Sequence, residues 1–313
     1  MPTALKMIRR PAQRAALLEQ GCVGTIGTFD GVHIGHQRIL GQVLDKAKAM
    51  NLPSVVISFE PTPREFFTRG VPPARLTRLR EKIVEFSRLG IDLFYCPPFD
   101  ATMERLEPDE FITGLLVEQL NIRHLVVGDD FVFGHARSGS IADLQRAGPD
   151  YGFTVEQAQT VMAKGQRVSS TLIRQALIEG EMSTAAALLG RPYAMTGRVV
   201  GGKKLGKELG YPTANVNLNR RTSPIAGIFA VRVAGPDAQL LDGVASVGTR
   251  PTIGGTDPLL EVHIFDFDRD IYGDYIRVEF IGKLRDEVHF EDLDALIEQM
   301  HIDARQARQM LAG

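Results

Sequence analysis

The run from Cys22 to His36 constrains this chain more than any other stretch. Cys22-Val23-Gly24-Thr25-Ile26 reads as a short strand, and Gly27-Thr28-Phe29-Asp30-Gly31-Val32-His33-Ile34-Gly35-His36 follows it directly. Beyond the second histidine, Ile39, Leu40, Val43, Leu44 and Ala47 fall on one helical stripe. A strand therefore turns into a helix with two histidines at the turn. Unpaired backbone N–H groups and the positive end of the helix dipole collect at such a point, which suits an anion. Gly31 and Gly35 let the backbone approach a bulky ligand. Two imidazoles there can donate hydrogen bonds to phosphate oxygens. The plain alternative is an ordinary turn with two surface histidines. The flanking Gly-x-Phe-Asp-Gly favours the first reading, because it specifies the whole turn and not one side chain.

Strand and helix patterns alternate through the first half. Ser54 to Phe59 is a continuous apolar run, as in a strand buried on both faces. Leu79 to Leu89 is amphipathic and stops at Gly90. Ile91 to Tyr95 is strand-like, Pro108 opens a helix running to about Leu120, and His124 to Gly128 is another short strand. This alternation implies a doubly wound parallel sheet, whose ligands bind at the carboxyl ends of the strands. Helical periodicity stops at Gly190-Arg191-Pro192. Beyond it Tyr193–Val200, Gly227–Val233, Leu259–Phe265 and Tyr275–Ile281 read as strands, with turns at Gly235-Pro236-Asp237 and Gly254-Gly255. A long helix returns only over Phe290–Leu311. The expected organisation is an α/β domain over 1–183 and an antiparallel barrel with a C-terminal helix over 184–313.

Three further stretches carry chemistry. Gly128-Asp129-Asp130-Phe131-Val132-Phe133-Gly134 alternates two aromatics beside two carboxylates, which makes either core packing or a slot for a flat ring. Ser169-Ser170-Thr171-Leu172-Ile173-Arg174 starts a helix that continues to Glu179. Its arginine opposes the dipole preference of a first turn, as a bound polyphosphate would explain. Gly202-Lys203-Lys204-Leu205-Gly206-Lys207-Glu208-Leu209-Gly210 spaces glycines four apart without a P-loop ending. Its amides and lysines suit phosphates. Thr213 and Asn215, two apart in the following strand, offer two neutral oxygens on one face. These suit a magnesium ion that also takes phosphate oxygens.

His33-Ile34-Gly35-His36 resembles the His-x-Gly-His signature of nucleotidyltransferases. The longer form beginning at Gly27 resembles the bacterial FAD synthetases, which are bifunctional riboflavin kinase/FMN adenylyltransferases. Further matches follow in order. Ser58-Phe59-Glu60-Pro61-Thr62-Pro63 resembles a flavin-side motif, although Thr62 stands where a histidine is usual. Gly128 to Gly134 resembles the family's Gly-x-Asp-Phe-x-Phe-Gly, and Ser169 to Arg174 its Ser-Ser-Thr-x-x-Arg. Pro212-Thr213-Ala214-Asn215, Gly243 to Thr252, Glu261 to Phe267 and Asp270-Ile271-Tyr272-Gly273 resemble riboflavin kinase. The resemblance implies a Rossmann-like nucleotidyltransferase followed by a riboflavin kinase barrel. It implies an ATP site at Gly27, Phe29, Asp30, Gly31, His33, Gly35, His36, Ser169, Ser170, Thr171 and Arg174. It implies a second ATP site at Gly202, Lys204, Gly206, Gly210, Thr213 and Asn215, with Mg2+ on the last two. Phe59, Asp130, Phe131, Phe133, Arg250 and Glu261 would meet flavin. Glu261 would be the kinase's general base, and His33, His36 and Arg174 would carry adenylyl transfer. His263 and His289 read as structural.

Composition narrows the field. A net charge of −2 over 313 residues shows no basic field for nucleic acid. Two cysteines make no disulfide framework, and no apolar run is long enough to span a membrane. The expected partners are riboflavin, FMN and ATP, the location cytoplasmic, and the state a monomer or weak homo-oligomer. A nucleotidyltransferase acting on a phosphopantetheine or cytidylyl substrate is disfavoured by the second domain. A flavin-binding regulator without catalysis is disfavoured by the intact His33, His36, Arg174, Thr213, Asn215 and Glu261. A class I tRNA synthetase shares the histidine motif, but no anticodon-binding region is apparent.

Overall fold

The computed structural model of the chain describes residues 5–9, 16–163, 165–201, 210–235, 239–252 and 255–313, with backbone only at 16, 249–252 and 255–257. Contacts between Cα atoms divide the chain into two compact units. The first is Met1–Pro72 with Thr77–Ser169, and the second is Pro73–Leu76 with Ser170–Gly313.

In the first unit, strands β1 (Lys6–Ile8), β2 (Cys22–Ile26), β3 (Ser54–Ile57), β4 (Leu93–Tyr95) and β5 (Ile122–Val127) belong to one sheet. The pair β6 (Val132–Phe133) and β7 (Gly139–Ser140) makes a small hairpin, and β8 (Thr154–Gln157) completes the sheet. A second hairpin joins β9 (Met162–Ala163) to β10 (Gln166–Arg167). The sheet order is β1-β4-β3-β2-β5-β8, with every pairing parallel. Every residue of β2, β3 and β4 is buried, as continuous apolar runs in a two-sided parallel sheet require. Helix α1 (Ile34–Met50) buries Leu40, Val43 and Ala47, the stripe expected from the sequence. Helices α2 (Pro63–Phe67), α3 (Leu79–Leu89), α4 (Ala101–Arg105), α5 (Pro108–Glu110) and α6 (Ile141–Tyr151) complete the unit. Helix α3 has the bounds expected, and Gly90 ends it at φ 88°.

The helix expected from Pro108 to about Leu120 is only partly α-helical. After Glu110 it continues as a π-helix over Phe111–Gln119. The wider turn carries Phe111, Ile112, Leu115 and Leu116 onto the core together, and the Leu120 N–H closes it on the Leu115 carbonyl.

The second unit opens with α7 (Ser170–Ile178) and α8 (Met182–Leu189). Strands β11 (Tyr193–Val200), β12 (Ala214–Asn217), β13 (Gly227–Ala234), β14 (Leu240–Thr252), β15 (Gly255–Ile264) and β16 (Tyr275–Arg285) follow. They close a barrel in the order β11-β12-β15-β14-β13-β16, all antiparallel. Burial alternates along β11, with Tyr193, Met195, Gly197 and Val199 facing in. Helix α8 packs on β11 and β16, and α7 packs on α8. The expected division falls inside α8.

The terminal helix α9 (Leu293–Leu311) lies on the barrel, burying Ala307 and Leu311 against Ala230 and Phe265. Arg285, at the end of β16, grips the buried Asp303 of α9 with three N–H···O bonds of 2.7 to 3.1 Å. Gln299 donates to the same carboxylate. Removing one partner of such a buried pair leaves the other charge uncompensated. Asp303→Ala should therefore destabilise the second unit by about 3 kcal/mol, the low end of the usual range because Arg285 keeps some solvent. Asp303→Leu combined with Arg285→Met should recover most of that loss. Chemical unfolding followed by circular dichroism measures both, and equal loss in the single and double variants would rule out the charge-pair explanation.

Candidate functional site

Strand order in the first unit reverses at β2, which lies between β3 and β5. The carboxyl ends of β2 and β5 therefore flank a crevice of the kind where open α/β sheets bind ligands. The turn Gly27–His33 leaves β2 at this point, and Gly128–Phe133 leaves β5.

The turn is held in an unusual conformation. Phe29 (φ 48°), Gly31 (φ 87°) and Val32 (φ 44°) all lie in the left-handed region, which a β-branched residue rarely enters. Several hydrogen bonds brace it. An Asp30 carboxylate oxygen accepts from the Thr77 N–H (2.9 Å) and hydroxyl (3.3 Å), while Gly31 N–H donates to the Thr77 hydroxyl (2.9 Å). Gln37 donates to the Val32 carbonyl at 2.8 Å. Lys82, on α3 and only 1% exposed, donates to the Thr28 carbonyl at 2.6 Å. Phe29 is buried beneath the turn, edge-on to His36 and to Phe86.

His33 caps α1, its Nδ1 accepting the His36 N–H at 3.2 Å. That bond requires an unprotonated Nδ1, so the proton of the neutral ring sits on Nε2. Gly35 makes this possible, since a Cβ there would come within 3.1 Å of the His33 ring. The two imidazoles stack with centroids 3.6 Å apart. The His36 Nδ1 is buried with no hydrogen-bond partner. Burial, then His33, then the Lys82 charge hold the His36 pKa well below 6.5. Sequence reasoning missed Lys82, because on an amphipathic helix a lysine reads as a solvated residue.

Among the expected flavin-side residues, Phe131 and Phe133 stack with centroids 5.6 Å apart, and Phe133 is buried. Asp130 is ion-paired with Arg167 at 3.0 Å. Phe59 is buried edge-on to Phe99, which also meets Phe66 and Phe67 of α2. Phe66 and Phe67 are exposed. Thr62, the departure from the family motif, is the N-cap of α2 in a reciprocal capping box with Glu65. Sequence reasoning missed α2 and with it this aromatic group.

In the second unit, Ser170, Thr171 and Arg174 lie in the first two turns of α7, and Arg174 Nε donates to the Ala74 carbonyl at 2.7 Å. Ser169 directly precedes that helix, at the end of the first unit. Gly202, Lys204 and Gly206 lie outside the described residues; Gly210 is described, at φ 82°. Arg250 pairs with Asp257 in the β14–β15 ladder, and its side chain lies outside the described part.

Asn215 on β12 stands directly opposite Glu261 on β15, and Glu261 stands opposite Ser246 on β14. Their sequence neighbours Val216, Leu260, Val262, Ala245 and Val247 fill the barrel core. The three polar residues thus form one row on the outer face, with directly opposed Cβ atoms about 5 Å apart. Thr213 precedes β12 by one residue. The segment leading to it is pinned twice: His263 Nδ1 meets the Pro212 carbonyl at 2.9 Å, and the Tyr211 hydroxyl bonds His301 on α9. His263 is therefore structural, as expected, but with a partner no sequence pattern showed.

Comparisons with known proteins give a consistent result. The FAD synthetase family model matches residues 16–172, and the riboflavin kinase family model matches residues 189–311. A bifunctional riboflavin kinase/FMN adenylyltransferase of Escherichia coli (strain K12) is 45% identical over 305 residues, covering 97% of each chain. A protein of the same name from Pseudomonas fluorescens is 46% identical over 294 residues, covering 94% of each chain. A crystal structure described as a macrolide-efflux protein from Streptococcus pneumoniae superposes with a TM-score of 0.83 at 29% identity, covering 97% of this chain and 99% of that one. Among the described residues no helix is long and apolar enough to cross a membrane.

The half-buried His36, with its Nδ1 shut away from solvent, makes the first unit sensitive to acid. Between its depressed pKa and 6.5 the unfolded chain binds a proton that the folded chain does not. Stability therefore rises with pH through that window and levels off above 6.5. His124, buried on β5, is shifted in the same direction, mainly by burial. The melting temperature of the first unit should fall on going from about pH 7.5 to about pH 5.5, and less so in His36→Phe, which keeps a ring in place. A melting temperature indifferent to pH, or a His36→Phe chain just as acid-sensitive as the parent, overturns this assignment.

Proposed function

The chain belongs to the family of bifunctional riboflavin kinase/FMN adenylyltransferases, and on that footing we propose how its residues divide the work. The protein phosphorylates riboflavin with ATP to give FMN, then joins FMN to AMP from a second ATP to give FAD and pyrophosphate. We assign the adenylyl transfer to residues 1–183 and the phosphorylation to residues 184–313. The division at 183/184 is the working boundary from sequence, and chains starting at Ser170 or at 184 test it by whether each folds and makes FMN.

The observation that carries the kinase assignment is the register of Asn215 against Glu261. Glu261 orients the 5′-hydroxyl of riboflavin and accepts its proton as the phosphoryl bond forms. Thr213 and Asn215 are neutral oxygen donors beside that carboxylate, and Asn215 is buried. Such a set fits Mg2+, which takes few protein ligands and completes its shell with water and phosphate. Bound there, the ion would neutralise charge on the transferred phosphoryl group. Gly202, Lys204, Gly206 and Gly210 would hold the nucleotide phosphates, and Arg250 would meet flavin.

For adenylyl transfer, the phosphate of FMN attacks the α-phosphate of ATP in one displacement, and no residue becomes covalently attached. His33 presents its Nε2 proton to phosphate oxygen, and His36 lies stacked beside it. The turn amides of Gly27 to Gly35, with Ser169, Ser170, Thr171 and Arg174, would hold the triphosphate and the departing pyrophosphate. The flavin ring would lie against Phe59, Phe131 and Phe133, near Asp130. The enzyme would act in the cytoplasm as a monomer or weak homo-oligomer. Cys22 and Cys96 are buried and form no disulfide, which suits a reducing compartment.

Both activities can be assayed on one preparation. Glu261→Gln should slow FMN formation about 10²–10⁴-fold, the usual contribution of a general base. Conversion of supplied FMN to FAD should be unchanged in it. His36→Ala should do the reverse, slowing FAD formation about 10²–10³-fold while riboflavin phosphorylation persists. Equal loss of both activities in either variant would contradict two separate sites, and full kinase activity in Glu261→Gln would remove Glu261 as the base.

A further inference from the structure

The row Asn215–Glu261–Ser246 has a fourth member that no motif contains. Glu287 follows β16, and its carboxylate accepts a hydrogen bond from the Ser246 hydroxyl at 3.2 Å. Ser246 and Gly248 lie two apart on β14 and so share the outer face. A Cβ added at Gly248 would overlap the Glu287 carboxylate, whose atoms are the three nearest to it. The absent side chain at Gly248 is thus the space in which Glu287 sits. The loop carrying Glu287 is fixed on its near side by the Arg285–Asp303 pair and by Lys283 bonded to Asp286 at 2.6 Å.

A serine hydroxyl that donates its only proton to a carboxylate can only accept from anything else it meets. The same bond polarises its oxygen towards acceptor character. Ser246 therefore presents an acceptor beside Glu261, one strand further along the row. The kinase substrate bears a chain of hydroxyl groups ending in the one that reacts, and each hydroxyl is a donor. We propose that Ser246, held by Glu287, is a binding residue for a hydroxyl of the substrate's polyol chain, and that Glu287 is its positioning residue. The pair would select for the polyol, not for the flat ring, and hold the chain so that its terminal hydroxyl meets Glu261. This rests on the assignment of the kinase site to Glu261.

The test compares riboflavin with lumiflavin, which has the ring system but no polyol, as a competitive inhibitor of phosphorylation. In Ser246→Ala and Glu287→Ala the KM for riboflavin should rise about 10-fold, as for a lost hydrogen bond to a charge-supported acceptor, with the lumiflavin KI unchanged. Combining the two should add little, because either change removes the same device. Gly248→Ala gives an independent arm. It keeps both polar residues but displaces the Glu287 carboxylate, and it should raise the riboflavin KM to the same extent. FMN adenylylation serves as the folding control and should be unaltered in all four proteins. An unchanged riboflavin KM, equal weakening of riboflavin and lumiflavin, or fully additive effects in the double variant would each overturn the proposal. Glu261→Gln run alongside separates the two failures. Loss of turnover there, with normal KM in the Ser246 and Glu287 variants, sinks only the polyol assignment. Normal turnover in Glu261→Gln sinks the kinase site itself.

Discussion

The first unit depends on keeping a backbone turn where it does not want to be. Three left-handed residues among Phe29–Val32, one of them β-branched, cost energy of order 1–3 kcal/mol each outside glycine. The surroundings offset this by fixing the turn from several sides: Thr77 against Asp30 and Gly31, Gln37 against Val32, and Lys82 against Thr28. The result is that His33 closes back over the start of α1 and His36 stacks beneath it. A buried lysine at this point sets a positive potential behind a turn whose amides already favour anions. The same charge helps keep His36 neutral, so the site offers directed donors without a buried imidazolium.

The two units solve one problem, placing polar groups on a hydrophobic frame, in different ways. The central strands of the parallel sheet, β2, β3 and β4, are buried on both sides, so chemistry there is confined to strand ends and the loops that leave them. The barrel strands have an inside and an outside. Alternate residues of one strand go to the core and to the site, so Leu260 and Val262 pack the interior while Glu261 between them faces out. A loop site needs bracing from outside, as Thr77, Gln37 and Lys82 supply, whereas a row across three strands is held by the ladder itself. The Tyr211–His301 and His263–Pro212 contacts extend that hold to the segment before β12.

Local patterns made much of this legible. The stripe on α1, the stop of α3 at Gly90 and the bounds of β11 follow from periodicity and a terminating glycine. Motif order pointed to both chemistries. What escaped was long-range. Nothing local to Lys82 announces a carbonyl 54 residues away, and nothing near Glu287 announces Ser246, 41 residues away. Phe66 and Phe67 went unread because α2 is a single capped turn, too short for periodicity. The π-helical stretch escaped because a widened turn keeps the same apolar composition as an α-helix. The helices α7 and α8 resemble the α/β half in pattern, and nothing local to α8 announces its packing on β11 and β16.

The pairing of Asn215 with Glu261 has an implication for how this barrel tolerates insertion and deletion. Strand side chains alternate with a period of two, so sliding β12 past β15 by one residue would bring Asn215 opposite Leu260 or Val262. Asn215 would turn inward and the row would be broken, although the ladder bonds could re-form and the chain could still close. A slip of two residues would restore the facing but offset the partners by nearly 7 Å along the strand. Lengthening is harmless where the chain is in a turn and ruinous by a single residue where it is in the ladder. The barrel can therefore be correct as a shape and blank as a catalyst, and a lineage drifting in loop length keeps its activity only while the parity of these three strands is preserved.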